Sequence, residues 1–178
     1  MSHNATFFTI GHSNRDLSEF VTMLEENAVT HLVDVRRLPG SNRYPHFNAD
    51  SLADALAEHD IGFTRLEGLA GRRPVSKDIA FEVNAWWENR SFHNYADHAL
   101  SDDFAAAFNE LRDIGRQRST AIMCAEAVWW RCHRRIIADH LLATEHDVHH
   151  IMGPGQLKPA TLSAGATVKS DGTVVYPE

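Results

Sequence analysis

Between Thr120 and Leu142 the chain reads TAIMCAEAVWWRCHRRIIADHLL. An apolar run ends at Cys124. Glu126, Trp129, Trp130, Arg131, Cys132, His133, Arg134 and Arg135 follow before a helical pattern takes over. These residue types can do covalent chemistry. A thiol attacks as its thiolate, and an ordinary thiol pKa near ~8.5 falls beside arginine or at a helix N-terminus. Cys124 has both neighbours in prospect and is the candidate nucleophile. His133 is a candidate base or proton donor beside it, Glu126 a candidate general acid or base, and Arg131 the arginine placed to reach a ligand. Cys132 reads either as a resolving thiol for Cys124 or as packing. Each residue also has a structural reading: Cys124 as a small buried hydrophobe, His133 as a hydrogen-bonded core histidine, Glu126 as a carboxylate favoured by a helix dipole, and the tryptophans as cover for the core. A zinc site needs four ligands. Cys124, Cys132 and His133 have no evident fourth unless His12 folds over them, so neither a metal nor another cofactor is expected.

The helix that follows sorts its own residues. At 3.6 residues per turn, His133 shares a stripe with Ile136, Ile137, His140 and Leu141, which turns it inward. The same wheel groups Arg131, Arg134 and Arg135 away from that stripe and places Arg134 and Arg135 on a solvated face.

The chain has 178 residues, 43% hydrophobic and 23% charged, the composition of a soluble globular protein. Its formal net charge is −7. That sum disfavours general nucleic-acid binding, which depends on phosphate contacts. Arginine outnumbers lysine 14 to 3, with clusters at Arg36, Arg37 and Arg43, at Arg72 and Arg73, and at Arg131, Arg134 and Arg135. The planar guanidinium fork suits carboxylate, phosphate and sulfate. No apolar run is long enough for a membrane helix, and the N-terminus has no signal-peptide pattern. The expected location is the cytoplasm, and two cysteines do not make a disulfide framework.

Strands and helices alternate along the chain. FFTIGHS, THLVDVRR, IGFTRLEGL, STAIMCAE and DVHHIM read as strands. DLSEFVTMLEENA, NADSLADALAEHD, a segment from Asp102 to Gln117, and RCHRRIIADHLLATE read as helices. Asp16 and Glu19 have the spacing of a capping box. Residues 70–100 read as irregular with short helices. The expected fold is one α/β domain over residues 1–178, with a mostly parallel five-stranded sheet and helices on both faces. Residues 153–178 form a C-terminal extension, in which Asp-Gly between β-branched runs signals a hairpin.

In such sheets ligands bind at the carboxyl ends of the strands. The loops there contain His12, Ser13 and Asn14 after the first strand, Arg36 and Arg37 after the second, Arg72 and Arg73 after the third, and Trp129 and Arg131 after the fourth. These are the candidate anion- or substrate-binding residues. Asp34 is placed to hold an arginine. Tyr44 and His46 lie in a long loop between Pro39 and helix two, and such loops often carry sites.

TIGHSN, LVDVRRLPGSNRYPHFN, LEGLAGRR, FHNYADHAL and AIMCAEAVWWRCHRRIIADHLL together resemble the bacterial and archaeal family called domain of unknown function 488. The resemblance extends to the final DGTVVYP. It implies a fold class and site positions rather than a reaction. LVDVR, then a strand ending in Cys124, a loop, Arg131 and a helix also look like the layout of rhodaneses and cysteine phosphatases. In those families a thiolate sits in a loop of backbone amides closed by an arginine, with four or five residues between the two. Here six residues intervene, none of them glycine.

Two functions compete at this point. One is a cysteine-dependent transferase or hydrolase, rhodanese-like or phosphatase-like, acting on a small anionic or nucleotide substrate in a basic pocket. The other is a non-catalytic module that binds a nucleotide, a nucleic-acid end or a protein through the arginines and tryptophans.

Overall fold

The computed structural model describes residues 5–37, 40 and 44–178. Arg43 and Pro39, singled out above, lie outside the described residues. The main sheet has six strands: β1 (Thr6–Gly11), β2 (His31–Asp34), β3 (Gly62–Arg65), β4 (Thr120–Cys124), β5 (Asp147–Gly153) and β6 (Gln156–Pro159). Their order is β3-β2-β4-β1-β5-β6, and β1 to β5 run parallel. The antiparallel edge strand β6 is an addition to the expected five. Its four residues are all exposed, so it has no alternation of apolar and polar residues to reveal it. Pro159 is tolerated there because an edge strand can do without one ladder donor.

Five α-helices cover the sheet: α1 (Leu17–Glu25), α2 (Ala49–Ala57), α3 (Arg90–His98), α4 (Asp102–Gln117) and α5 (Arg134–Ala143). The strand order shows how they are arranged. β1 to β2 and β2 to β3 step one way along the sheet; β3 to β4 and β4 to β5 step the other way. Parallel crossovers are right-handed, so the two directions use opposite faces. Packing agrees. Phe20, Leu24, Leu52 and Leu56 from α1 and α2 meet Ile10, Leu32, Ala121 and Met123 in one core. Phe104, Phe108 and Leu111 from α4 and Ile136, Ile137 and Leu141 from α5 meet Phe7, Val33, Ile122 and Cys124 in the other. Alternate residues of β4 therefore serve alternate cores, and Cys124 faces the α5 side. The connection leaving β4 departs to the opposite face from those leaving its neighbours β1 and β2. That divergence opens a crevice at the carboxyl ends of the strands.

One local expectation, the capping box, is corrected. Asp16 does sit at the α1 N-cap, but its side chain accepts no capping hydrogen bond. Glu19 instead pairs with Arg15 at 3.4 Å, so the capping box does not form. The irregular stretch at 70–100 contains α3, whose N-cap Asn89 accepts from the Phe92 amide. The expected hairpin forms from β7 (Thr167–Val168) and β8 (Val174–Val175), with Gly172 at φ 87° in the turn. Val174 and Tyr176 join the α4–α5 core, and the Tyr176 hydroxyl donates to Asp139 of α5 at 2.7 Å.

Candidate functional site: a dithiol at the floor of an arginine-lined cleft

The β1–β4 pairing continues past the strands. Gly11 lies opposite Cys124, the His12 amide donates to the Cys124 carbonyl at 3.0 Å, and the Ser13 amide to Ala125 at 3.0 Å. A Cβ on Gly11 would stand 1.8 Å from the Glu126 carbonyl oxygen, so only glycine lets the loop after β4 cross so closely. Ser13 then takes φ 49°, which turns the chain away toward α1. The loop after β4 runs through a 3₁₀ turn at Trp129–Arg131 into α5.

A cleft of about 440 Å³ opens above this loop, within the size range of small-molecule sites. Its lining brings together Cys124, Glu126, Arg131, Cys132 and His133 from the β4–α5 connection, Arg36 and Arg37 from the loop after β2, and Arg72 from the loop after β3. Asn89, Ser91, Phe92 and Tyr95 from the start of α3 complete it. An adjoining hollow of about 570 Å³ shares Arg36, Ala125 and Glu126, and holds His12, Ser13, Asn14 and Tyr44. Arg36 is thus the wall between the two spaces. Its guanidinium forms a bidentate pair with Asp34 at 2.9 and 2.8 Å, and both side chains are buried. Asp34 does hold an arginine. The Arg36 Nη1 also donates to the Phe47 carbonyl at 2.6 Å and lies 3.3 Å from His12 Nε2.

The two sulfurs meet at the floor. Cys132 Sγ donates to Cys124 Sγ at 2.6 Å, and Arg134 Nη1 points at Cys124 Sγ from 3.5 Å. Cys124 is 3% exposed and Cys132 6%, and both touch the cleft. Burial alone would push the Cys124 thiol up. The Cys132 hydrogen bond, the Arg134 charge and a backbone hydrogen bond at Glu126 together outweigh it and hold Cys124 below the ordinary thiol value. Cys132 goes the other way, raised well above it by burial and by giving its proton to Cys124. The two thiols are thus pushed in opposite directions, and Cys124 is the more readily ionised of the pair.

Here the structure corrects the helical wheel. Arg134 is fully buried, not on a solvated face, and it is the arginine at the sulfur. Its Nη2 donates to the Ala127 carbonyl at 3.1 Å, which ties the loop after β4 over the thiol. Arg135 is half-buried, donating to Ser163 at 3.0 Å with its guanidinium 5.0 Å from the Trp87 ring centre. Arg131 lines the cleft but is exposed.

The match of this chain to known families covers residues 16–141, and the matching model is described as Domain of unknown function DUF488. The chain belongs to that family. The match is shorter than the resemblance read from the sequence, leaving out the hairpin tail and the His12 loop. No curated protein and no solved structure matches the chain. Every residue lining the cleft of this DUF488 chain falls inside the matched span.

Other candidates are dispersed. His12, Ser13 and Asn14 lie in the adjoining hollow rather than the cleft. His12 stacks on Phe47, and burial lowers its pKa to about 4. Arg73 turns away, donating to the Ala70 and Glu67 carbonyls. Trp129 is not in the cleft either; it stacks flat on His150 with ring centres 4.5 Å apart. Of the tryptophan pair, Trp130 is the exposed one. His133 presents Nε2 to the Val35 carbonyl at 3.0 Å, so that nitrogen carries the proton of the neutral ring and Nδ1 is bare. Nδ1 lies 3.6 Å from Cys132 Sγ, which places the histidine beside the second thiol. Burial lowers the His133 pKa to about 4. A Cβ on Gly71 would fall 2.8 Å from this Nδ1, so glycine is what lets the loop after β3 close over the ring.

Tyr95 was not singled out in the sequence, yet its hydroxyl donates to the Leu69 carbonyl at 2.7 Å and its ring lies 4.8 Å from His133. Among the described residues, no cluster of three or more His, Cys, Asp or Glu is placed to hold a metal, and no helix is long and apolar enough to cross a membrane.

Proposed function

We propose that this chain is a cytoplasmic thiol-dependent enzyme in which Cys124 is the nucleophile and the substrate is a small anion or nucleotide held by Arg37, Arg72 and Arg131. One observation carries the reading: Cys124 Sγ receives two donors, Cys132 and Arg134, at the floor of a cleft whose walls are rich in arginine. Both donors favour the thiolate, the form that attacks. Arg36 is committed to Asp34 and shapes the wall, whereas Arg131 is free to follow a ligand because it is exposed. Glu126, exposed at the mouth, is the group positioned to exchange a proton with a leaving group. The cleft has one carboxylate against its arginines, since the charge of Asp34 is matched by Arg36. That imbalance supports an anionic substrate despite the chain's acidic total.

The test is the rate of iodoacetamide alkylation of the native protein against pH, read by peptide mapping. Cys124 should titrate below ~8.5, and Cys132 should react far more slowly at pH 7. Arg134→Met should raise the apparent Cys124 pKa by about one unit and slow alkylation at pH 7 by roughly tenfold. Arg134→Lys, which keeps the charge, should lie between. Cys124 staying unmodified until the protein unfolds would end the proposal. The binding-module reading would then lead, with exposed Trp130 and Arg131 as its first residues to replace.

A further inference from the structure

We infer that Cys124 and Cys132 act as a redox dithiol that exchanges with a small disulfide bearing carboxylates, and that Cys132 is the thiol that resolves the mixed disulfide. This rests on the reading of Cys124 as nucleophile and adds the second sulfur, the substrate class and the product. The geometry is specific. The sulfurs are 2.6 Å apart, and both cysteines are free. An S–S bond of ~2.05 Å therefore needs only a small side-chain movement. Both touch the same cleft, so neither has to cross the core to meet a substrate held there. The residues around them also divide the labour. Arg134 faces Cys124, and His133 Nδ1 faces Cys132.

The steps balance without a further reagent. The Cys124 thiolate attacks one sulfur of the substrate disulfide, forming a mixed disulfide and expelling the first substrate thiolate. Cys132 then attacks the Cys124 sulfur. Its proton leaves by way of His133 Nδ1 to the second departing thiolate, and the Cys124–Cys132 disulfide forms. Substrate disulfide plus the Cys124 thiolate and Cys132 thiol becomes one substrate thiolate, one substrate thiol and the protein disulfide; the protein is oxidised by two electrons and the substrate reduced by two. Running backward, two substrate thiols reduce the protein. The arginines select the substrate: Arg37, Arg72 and Arg131 line the approach to Cys124, and their fork geometry suits carboxylates.

The experiment treats the reduced full-length protein at pH 7 with glutathione disulfide, which carries carboxylates, or with cystamine, which is cationic. Intact-mass spectrometry follows each reaction. With glutathione disulfide the wild-type chain should lose two hydrogens and pass only transiently through a glutathionyl adduct. Cys132→Ser should stop at that adduct on Cys124. Glutathione disulfide should react about tenfold faster than cystamine, and high salt should shrink the difference. A stable adduct on wild-type Cys124 with no ring closure would overturn the resolving role of Cys132. Equal rates for the two disulfides would overturn the anionic substrate class. Lack of reaction with either, while iodoacetamide still labels Cys124, would overturn the dithiol inference and leave the proposed nucleophile standing. Failure of iodoacetamide to label Cys124 would remove both.

Discussion

Acidifying the protein from pH 7 to pH 5 is expected to remove most of its stability. Burial lowers the pKa of His12, His133 and His140 to about 4 and of His150 to about 3. In the unfolded chain each returns to about 6.5. These are groups with depressed folded-state values, so the unfolded chain binds more protons between the two values. Stability is full above pH 6.5 and falls as the pH drops through the window toward 4. At pH 5 each histidine contributes a loss of about 2 kcal/mol. Four together approach the whole stability of an ordinary domain, about 5–15 kcal/mol. Asp97 and Asp139, raised by burial, act in the opposite sense, since their stabilising form is the protonated one. They offset only part of the loss, because His31, His98 and His146 are also lowered and add to it.

The measurement is thermal or urea unfolding at a series of pH values. The midpoint should fall steeply between pH 6.5 and 5. His140→Leu should flatten the slope by about one proton, because His140 packs against the rings of Phe104 and Phe108 and its Nε2 has no hydrogen-bond partner among the described residues. A midpoint independent of pH across that window would mean these rings are hydrated, and the buried placement of the four histidines would be wrong.

The fold was largely readable because its strands are buried. Residues such as Leu32, Val33, Ala121, Ile122 and Met123 make continuous apolar runs, and α4 occupies the expected Asp102–Gln117 span with Phe104, Phe108 and Leu111 inward. The edge strand β6 escaped because exposure removes that signal. The site was half readable. Topology puts the ends of β1, β2 and β4 together whatever the side chains do, so Cys124, Arg36 and His12 were found as neighbours. Arg134 was misplaced because the wheel grouped it with Arg131 and Arg135 rather than with the buried residues further along α5. It stands three, four and seven residues before Ile137, Ala138 and Leu141, all of them buried, so helical spacing alone points it inward. Asn89, Ser91 and Tyr95 had no readable link to the cleft. They arrive through the packing of α3: the sequence reads short helices in that stretch, but nothing in it says which strand ends they pack against.

The second large effect is expected at Asp34, which carries no part of the proposed chemistry. Its carboxylate is completely buried and accepts from the Arg36 backbone amide at 2.9 Å as well as from the guanidinium. Arg36 is 4% exposed, and its remaining contacts, the Phe47 carbonyl and His12 Nε2, are neutral. His12 Nδ1 lies 2.9 Å from the Ser13 carbonyl, so Nδ1 carries the proton and Nε2 accepts from Arg36. Asp34→Ala therefore leaves a buried guanidinium with no counter-charge. Breaking a buried pair from one side costs about 3–5 kcal/mol, whereas replacing both members with apolar groups is often close to neutral. The urea midpoint should fall accordingly for Asp34→Ala. The double variant Asp34→Ala with Arg36→Met should recover a large part of the loss. A single-variant cost below about 1 kcal/mol is the range of an exposed ion pair and would mean that water reaches this one. Cys124 alkylation adds a second readout, since Arg36 does not touch the sulfur but forms the wall between the two hollows. In Asp34→Ala under conditions where the protein remains folded, the apparent Cys124 pKa should hold, because Arg134 and Cys132 set it. The preference for glutathione disulfide over cystamine should weaken as the wall loosens.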